Sequence, residues 1–245
     1  RASAPPPLFA FDGHGEEGYA LDFSRVVAGR LATGSCNKRI HVWSASPGGT
    51  WSVDAAPYVG HEASVEDIRW SPVEPTVFAS CSADSRVAIW DVRKRDGMAL
   101  SVKAHTTDAN VISWNAAVSY LLVSGADDGS IKIWDLRTFR AGEPVASFTW
   151  HKAPITSVEW NPNESSSIAV AGADNQLTLW DLALEDDPEA RQIEMGREDL
   201  ADIPAQLYFV HQGQSNMKEL HWHPQMPGVV ISTAEDGFHL FKPAN

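Results

Sequence analysis

The chain repeats itself about every 46 residues, and each copy carries a histidine followed 29 residues later by a tryptophan. His14 leads to Trp43, His61 to Trp90, His105 to Trp134 and His151 to Trp180, with a looser fifth copy from His211 to Phe241. A fixed period of this length implies one supersecondary unit per copy, each burying its apolar face against its neighbours. In the copy that starts at Gly60, Val65, Ile68 and Trp70 mark a first strand that Ser71-Pro72 ends, since proline cannot donate to a ladder. Thr76 to Cys81 reads as a short buried strand, Ala83-Asp84-Ser85 as a turn, and Arg86 to Trp90 as a third strand with period two. A weaker fourth strand is expected around Ala99 to Val102.

The other copies keep this spacing. A first-strand aromatic lies nine residues after the histidine at Phe23, Trp70, Trp114 and Trp160, and a turn residue lies 23 after it at Asn37, Asp84, Asp128 and Asp174. Four residues before the turn stand Thr33, Ser80, Ser124 and Val170. With the pairs Trp90-Asp91, Trp134-Asp135 and Trp180-Asp181, the period resembles the WD repeat, of which four strands make one β-propeller blade. The fold expected is all-β, a WD-repeat β-propeller with five repeats visible, which could close as five blades or be joined by two more that precede Arg1. The repeats run about 13–57, 58–102, 103–148, 149–183 and 205–245, with 1–12 as an outer strand of a preceding blade and 184–204 as an acidic insert.

In WD repeats a Trp, a Ser or Thr, a His and an Asp hydrogen-bond in series. A buried imidazole and carboxylate are tolerable only when paired, so such a series fixes the loop to the turn. Two tetrads are complete in the sequence: His61, Ser80, Asp84, Trp90 and His105, Ser124, Asp128, Trp134. The first copy has Asn37 for Asp, and the fourth has Val170 and so loses a hydroxyl. A His-Ser-Asp set invites a catalytic reading, but a catalytic triad appears once, at a pocket, and this set recurs copy after copy. The periodic histidines stand one per repeat, not at metal-ligand spacing. No nucleophile elbow, phosphate loop or cofactor motif is present, so the reading is a non-enzymatic protein without cofactor, metal or small-molecule substrate.

The formal net charge of −13 favours basic partners and argues against direct contact with nucleic-acid phosphates. Cys36 and Cys81 fall at different repeat positions, which suggests no disulfide framework, and no apolar run is long enough to span a membrane.

A finer resemblance rests on particular segments. Glu17-Gly18-Tyr19-Ala20-Leu21-Asp22, Ser64-Val65-Glu66-Asp67, Phe78 to Asp84, Thr156 to Trp160, Gln206 to Gly213 and Lys218 to Pro224 are similar to the glutamate-rich WD-repeat proteins, and more distantly to the p55-type retinoblastoma-binding histone chaperones. The resemblance covers essentially the whole chain. It implies a seven-bladed propeller of which this chain is the C-terminal part, acting in the nucleus and nucleolus in large ribosomal subunit assembly. The implied partners are a large-subunit ribosomal protein (the L-three protein) first and histones second. By the same resemblance the propeller rim would grip a basic peptide through Glu17, Tyr19, Glu66, Asn110 and Glu235, while Pro154 and Asn216 depart from the chaperone pattern. Glu198, Asp199 and Asp202 of the insert resemble an acidic loop that holds a histone helix, with Ile203-Pro204-Ala205 where Gly-Pro-Pro is usual. A second class of function comes from Trp90-Asp91-Val92-Arg93 and Trp134-Asp135-Leu136-Arg137, which fit the Trp-Asp-x-Arg box of substrate receptors that dock a cullin-RING ubiquitin ligase adaptor through Arg93 and Arg137.

Overall fold

A computed structural model describes residues 6–185 and 203–243. These form two compact units, Arg1–Asn110 and Val111–Asn245. In the first unit, β1 (Leu21–Phe23), β2 (Arg30–Gly34), β3 (Ile40–Ala45) and β4 (Trp51–Val53) make one antiparallel meander. A second follows with β5 (Val65–Trp70), β6 (Val77–Ser82), β7 (Arg86–Asp91) and β8 (Leu100–Lys103). From the boundary onward, β9 (Ala109–Trp114), β10 (Leu121–Ala126), β11 (Ile131–Asp135) and β12 (Ala146–Phe148) form the third sheet. The fourth comprises β13 (Ile155–Trp160), β14 (Ser167–Gly172), β15 (Leu177–Asp181) and β16 (Leu207–His211), and the fifth β17 (Glu219–Trp222), β18 (Val230–Ala234) and β19 (Gly237–Phe241). Each sheet is a blade. The only helical element among the described residues is a short 3-10 turn at Phe139–Ala141.

The second strands read as continuous small or apolar runs because both of their faces are covered. All six residues of β14, Ser-Ile-Ala-Val-Ala-Gly, are buried. In the first unit Ile40, Val65, Ile68, Phe78 and Trp90 share one apolar cluster. In the second, Ile131, Ile155, Trp160, Ile168 and Trp180 form one, and Leu177, Leu179, Leu220 and Trp222 another.

Within each unit, neighbouring blades are also joined by a side chain of one first strand that accepts a backbone N–H of the next. Asp22 accepts from Trp70 at 2.7 Å. Ser113 accepts from Trp160 at 3.2 Å, and Glu159 from Trp222 at 2.9 Å. These three acceptors occupy the slot just before the first-strand aromatic, so the repeat carries an inter-blade bond as well as an intra-blade one.

Two boundaries differ from the sequence reading. Leu8 to Phe11, expected as an outer strand, lies outside every sheet; its Phe9 and Phe11 rings meet the Trp43 indole edge-on at 5.6 and 5.2 Å. Strand β16 pairs with β15, in the register Leu177↔His211 and Thr178↔Val210, so it completes the fourth blade and the repeat placed at 205 begins inside that blade.

Candidate functional site

The tetrads organise one end of every blade. In the second blade His61 Nδ1 lies 2.9 Å from Asp84 and Nε2 2.7 Å from Ser80, whose oxygen also accepts the Trp90 indole N–H at 2.7 Å. Asp84 also accepts the backbone N–H groups of Glu62, at the head of the loop, and Arg86, across the turn. One carboxylate thus ties loop, turn and imidazole together, and these bonds hold Asp84 below its ordinary carboxylate range against the upward pull of burial, the largest influence on it. In the third blade the Trp134 indole donates to Ser124 at 2.9 Å, and Asp128 accepts from Ser130 N–H. Ser80 and Ser124 are fully buried, and their hydroxyls bond side chains of their own blades.

Three blades depart from the pattern in instructive ways. The repeat spacing puts Val170 where the tetrad hydroxyl belongs, and the structure corrects the expected loss of that group. Thr178, opposite Val170 on β15, supplies the hydroxyl instead: it lies 2.8 Å from His151 Nε2 and accepts the Trp180 indole N–H at 2.8 Å. In the first blade Ser35 stands between His14, at 2.8 Å, and Asn37, at 2.6 Å, while the Asn37 amide donates to the His14 carbonyl. In the fifth blade Gln214, buried and bonded to Ser232, takes the histidine slot. His211 instead lies on β16, its Nε2 3.0 Å from His239 Nδ1 and its ring stacked on Phe241.

The rim residues divide between the two units. Glu17, Tyr19 and Glu66 come together in the first. Tyr19 is 65% exposed, and its phenol is raised above its ordinary pKa first by the charge of Glu17, then by a hydrogen bond to it, with a smaller push from Glu66. Glu17 is anchored through its backbone, its carbonyl accepting Cys36 N–H at 2.9 Å. Asn110 lies half-buried on β9. Glu235, in the second unit, is exposed at the β18–β19 turn, with its N–H on the Ser215 carbonyl. Of the two departures from the chaperone pattern, Pro154 accepts Ala173 N–H through its carbonyl, and Asn216 is held at φ 55° with its N–H on Asn175. Glu198, Asp199 and Asp202 lie outside the described residues.

The two Trp-Asp-x-Arg boxes share one geometry. The Arg93 guanidinium is forked onto Asp91 with contacts of 2.9, 3.1 and 2.5 Å, and Arg137 onto Asp135 with the same three distances. The arginines remain 74% and 63% exposed while their carboxylates are largely covered. The Arg93 bonds lower the Asp91 pKa to about 2. Arg137 also sits over the Tyr120 ring at 3.7 Å. Among the described residues no group of three or more His, Cys, Asp or Glu is placed to hold a metal ion, and no helix is long and apolar enough to cross a membrane.

A profile of the WD domain, G-beta repeat, matches residues 55–91, 98–135 and 142–181, the stretches that carry the second, third and fourth tetrads. The chain carries WD repeats. Its blades are those of an all-β WD-repeat propeller. It is 53% identical over 245 residues to Protein HEAT STRESS TOLERANT DWD 1 of Arabidopsis thaliana, covering 98% of this chain and 52% of that protein. It is 49% identical over 242 residues to Ribosome assembly protein rrb1 of Schizosaccharomyces pombe, covering 96% and 50%. Glutamate-rich WD repeat-containing protein 1 of Dictyostelium discoideum is 54% identical over 240 residues, covering 98% and 49%. The chain spans about half the length of the curated relatives it matches.

In WD-repeat terms, sequence reasoning missed Thr178 and Gln214. Thr178 carried a readable signal, since the slot across the ladder from the tetrad hydroxyl falls 27 residues after each histidine and holds His41, Ala88, Lys132 and Thr178. Gln214 carried less, because one residue is missing from that repeat before Trp222.

Proposed function

We propose that this WD-repeat protein is a binding platform that chaperones a basic client in large ribosomal subunit assembly, in the nucleus and nucleolus. The client is a large-subunit ribosomal protein, with histones as a second class. The observation that carries the reading is the group of Glu17, Tyr19 and Glu66 in one unit, exposed or half-exposed and tied by no ion pair among the described residues. Carboxylates beside an exposed aromatic ring, with Glu17 already accepting the Tyr19 hydroxyl, suit a lysine or arginine side chain, through charge-assisted hydrogen bonds and a cation–π contact. By the family resemblance, Glu235, and Glu198, Asp199 and Asp202 of the acidic segment, would offer further carboxylates to a basic client. That neutralisation would keep the client off nucleic acid until rRNA competes for the same charges. The relative named for ribosome assembly supports the same role.

Replacing Glu17, Glu66 and Glu235 together by Gln weakens client binding by about 1–3 kcal/mol, the sum of exposed charge contacts. It also flattens the salt dependence of binding, because fewer screened charge pairs remain. Isothermal titration of an isolated large-subunit ribosomal protein at two ionic strengths reads both quantities. Unchanged affinity in the triple variant removes the rim as the site.

A second reading, docking to a cullin-RING ligase adaptor, is favoured by the matched exposed forks of Arg93 and Arg137, and by the DWD in the name of the Arabidopsis relative. Co-purification of the adaptor with wild type and its loss in the double Arg93→Ala, Arg137→Ala variant would support it; retention would remove the boxes as the docking surface.

A further inference from the structure

The first blade differs from its neighbours in how its tetrad histidine is compensated. In the second and fourth blades the imidazole faces a carboxylate, Asp84 at 2.9 Å and Asp174 at 3.0 Å. In the first, Ser35 and the uncharged Asn37 take that place. The slot across the ladder from the tetrad hydroxyl, occupied in the second blade by Ala88, here holds a second histidine, in the register Thr33↔His41. The His14 and His41 rings meet at 4.8 Å between centroids. His41 is 4% exposed, and neither of its ring nitrogens has a side-chain hydrogen-bond partner. Phe11 packs edge-on against both imidazoles, at 5.7 and 4.9 Å, and against Trp43.

We infer that the first blade is an acid-releasable clasp: the facing imidazoles of His14 and His41, with an amide at Asn37 where other tetrads carry a carboxylate, hold the Leu8–Phe11 segment only while both rings are neutral. Protonating either ring places a cation in an aromatic, largely dry setting, and protonating both sets like charges face to face. The charged groups acting on the pair do not offset this. Asp54, after β4, favours a cation on His41 through a backbone hydrogen bond and, more weakly, through the charge of its carboxylate, which is itself bound to Arg95 at 2.7 Å; Arg39, just before β3, disfavours one, and burial outweighs the favourable contacts. His14 feels only His41. Burial, the first cause for each ring, keeps both pKa values below that of an ordinary histidine, with the charge of His41 adding to it for His14 and that of Arg39 for His41.

The sign follows. The folded blade binds fewer protons than the opened one, so its stability is complete above the ordinary histidine pKa of about 6.5 and falls as pH drops below it. Because the Glu17 carbonyl is bonded to Cys36 in the turn of this blade, opening also releases the rim segment. That consequence for a client rests on the reading of the rim above; the opening itself does not.

Hydrogen exchange by mass spectrometry on the full-length protein, from about pH 7.5 to about pH 5, tests the clasp without any client. The measured quantity is the opening of residues 8–45 relative to residues 61–91 of the second blade, which cancels the intrinsic pH dependence of exchange. The ratio should grow by up to about tenfold per pH unit for each proton taken up. Asn37→Asp, by restoring a carboxylate, should raise the folded-state pKa of His14 and so shrink the growth without moving its onset, and His41→Ala should flatten it. A ratio that stays level in the wild type overturns the clasp, whichever variants fold. So does growth that Asn37→Asp and His41→Ala leave unaltered.

Discussion

At the scale of single residues, the tetrad is a chemical role more than a sequence position. Ser80 and Thr178 occupy different strands yet do the same thing, accepting an indole N–H while bonding an imidazole. Thr178→Val therefore leaves the Trp180 N–H and His151 Nε2 unpaired in a dry interior and costs about 1–3 kcal/mol, as Ser80→Ala does, while Val170→Ala costs only lost methyl contacts. Chemical denaturation measures all three, and a neutral Thr178→Val would contradict the assignment. The sequence spelled out the tetrads of the second and third blades because there each role falls in its usual slot. The fourth falls outside the usual motif because its hydroxyl comes from the cross-strand slot, 27 residues after the histidine, whose proximity is set by register. His221 carries a pH-dependent contribution of a different kind. Its pKa is raised first by a hydrogen bond to Glu159, across from the neighbouring blade, and then by the charges of Glu159 and Glu219, against the opposing pull of burial. A raised histidine stabilises fully below about 6.5 and loses that contribution as pH climbs through its folded value. Denaturation midpoints of wild type and His221→Ala should accordingly differ at pH 5.5 or so and converge above about pH 8.

At the scale of elements, the strands were legible because period-two patterning and turn chemistry agree. The residue after each tetrad turn residue takes a left-handed backbone conformation, at Lys38, Ser85, Gly129, Asn175 and Gly237. Only Gly129 is also sterically required, since a Cβ there would lie 2.4 Å from the His151 carbonyl oxygen. Gly172 has no unusual φ, yet a Cβ would sit 2.6 Å from both Asp174 Oδ1 and His151 Nδ1. Gly172→Ala is predicted to break that pairing and cost about 1–3 kcal/mol by overpacking, read as a lowered unfolding midpoint. Strand β16 was assigned to the wrong blade because a sequence repeat is counted from its histidine and the acidic segment intervenes before the fourth strand. Leu8–Phe11 has the composition of a strand but is held by Trp43 through ring contacts, which alternation cannot distinguish from ladder pairing. The inter-blade acceptors at Asp22, Ser113 and Glu159 were invisible for a plainer reason: three different residue types do one job, so no motif records it.

At the scale of the whole molecule, the acidic balance and the repeated blades point to protein recognition. A WD-repeat blade spends its buried His, Ser and Asp on holding strands together, which leaves chemistry at its surface to charges and exposed rings. The partner classes proposed here follow from the sign of that surface and from relatives whose lengths exceed this chain about twofold. Carbonyl anchoring of Glu17 and the exposed stance of Tyr19 were beyond the sequence, which supplied the residue types but not their grouping. The most direct test of the central claim is quantitative mass spectrometry of proteins that co-purify with the full-length protein at low and high salt. The account predicts a stoichiometric large-subunit ribosomal protein that is lost at high salt. A stoichiometric ubiquitin-ligase adaptor without any basic client would contradict it and move the function to Arg93 and Arg137.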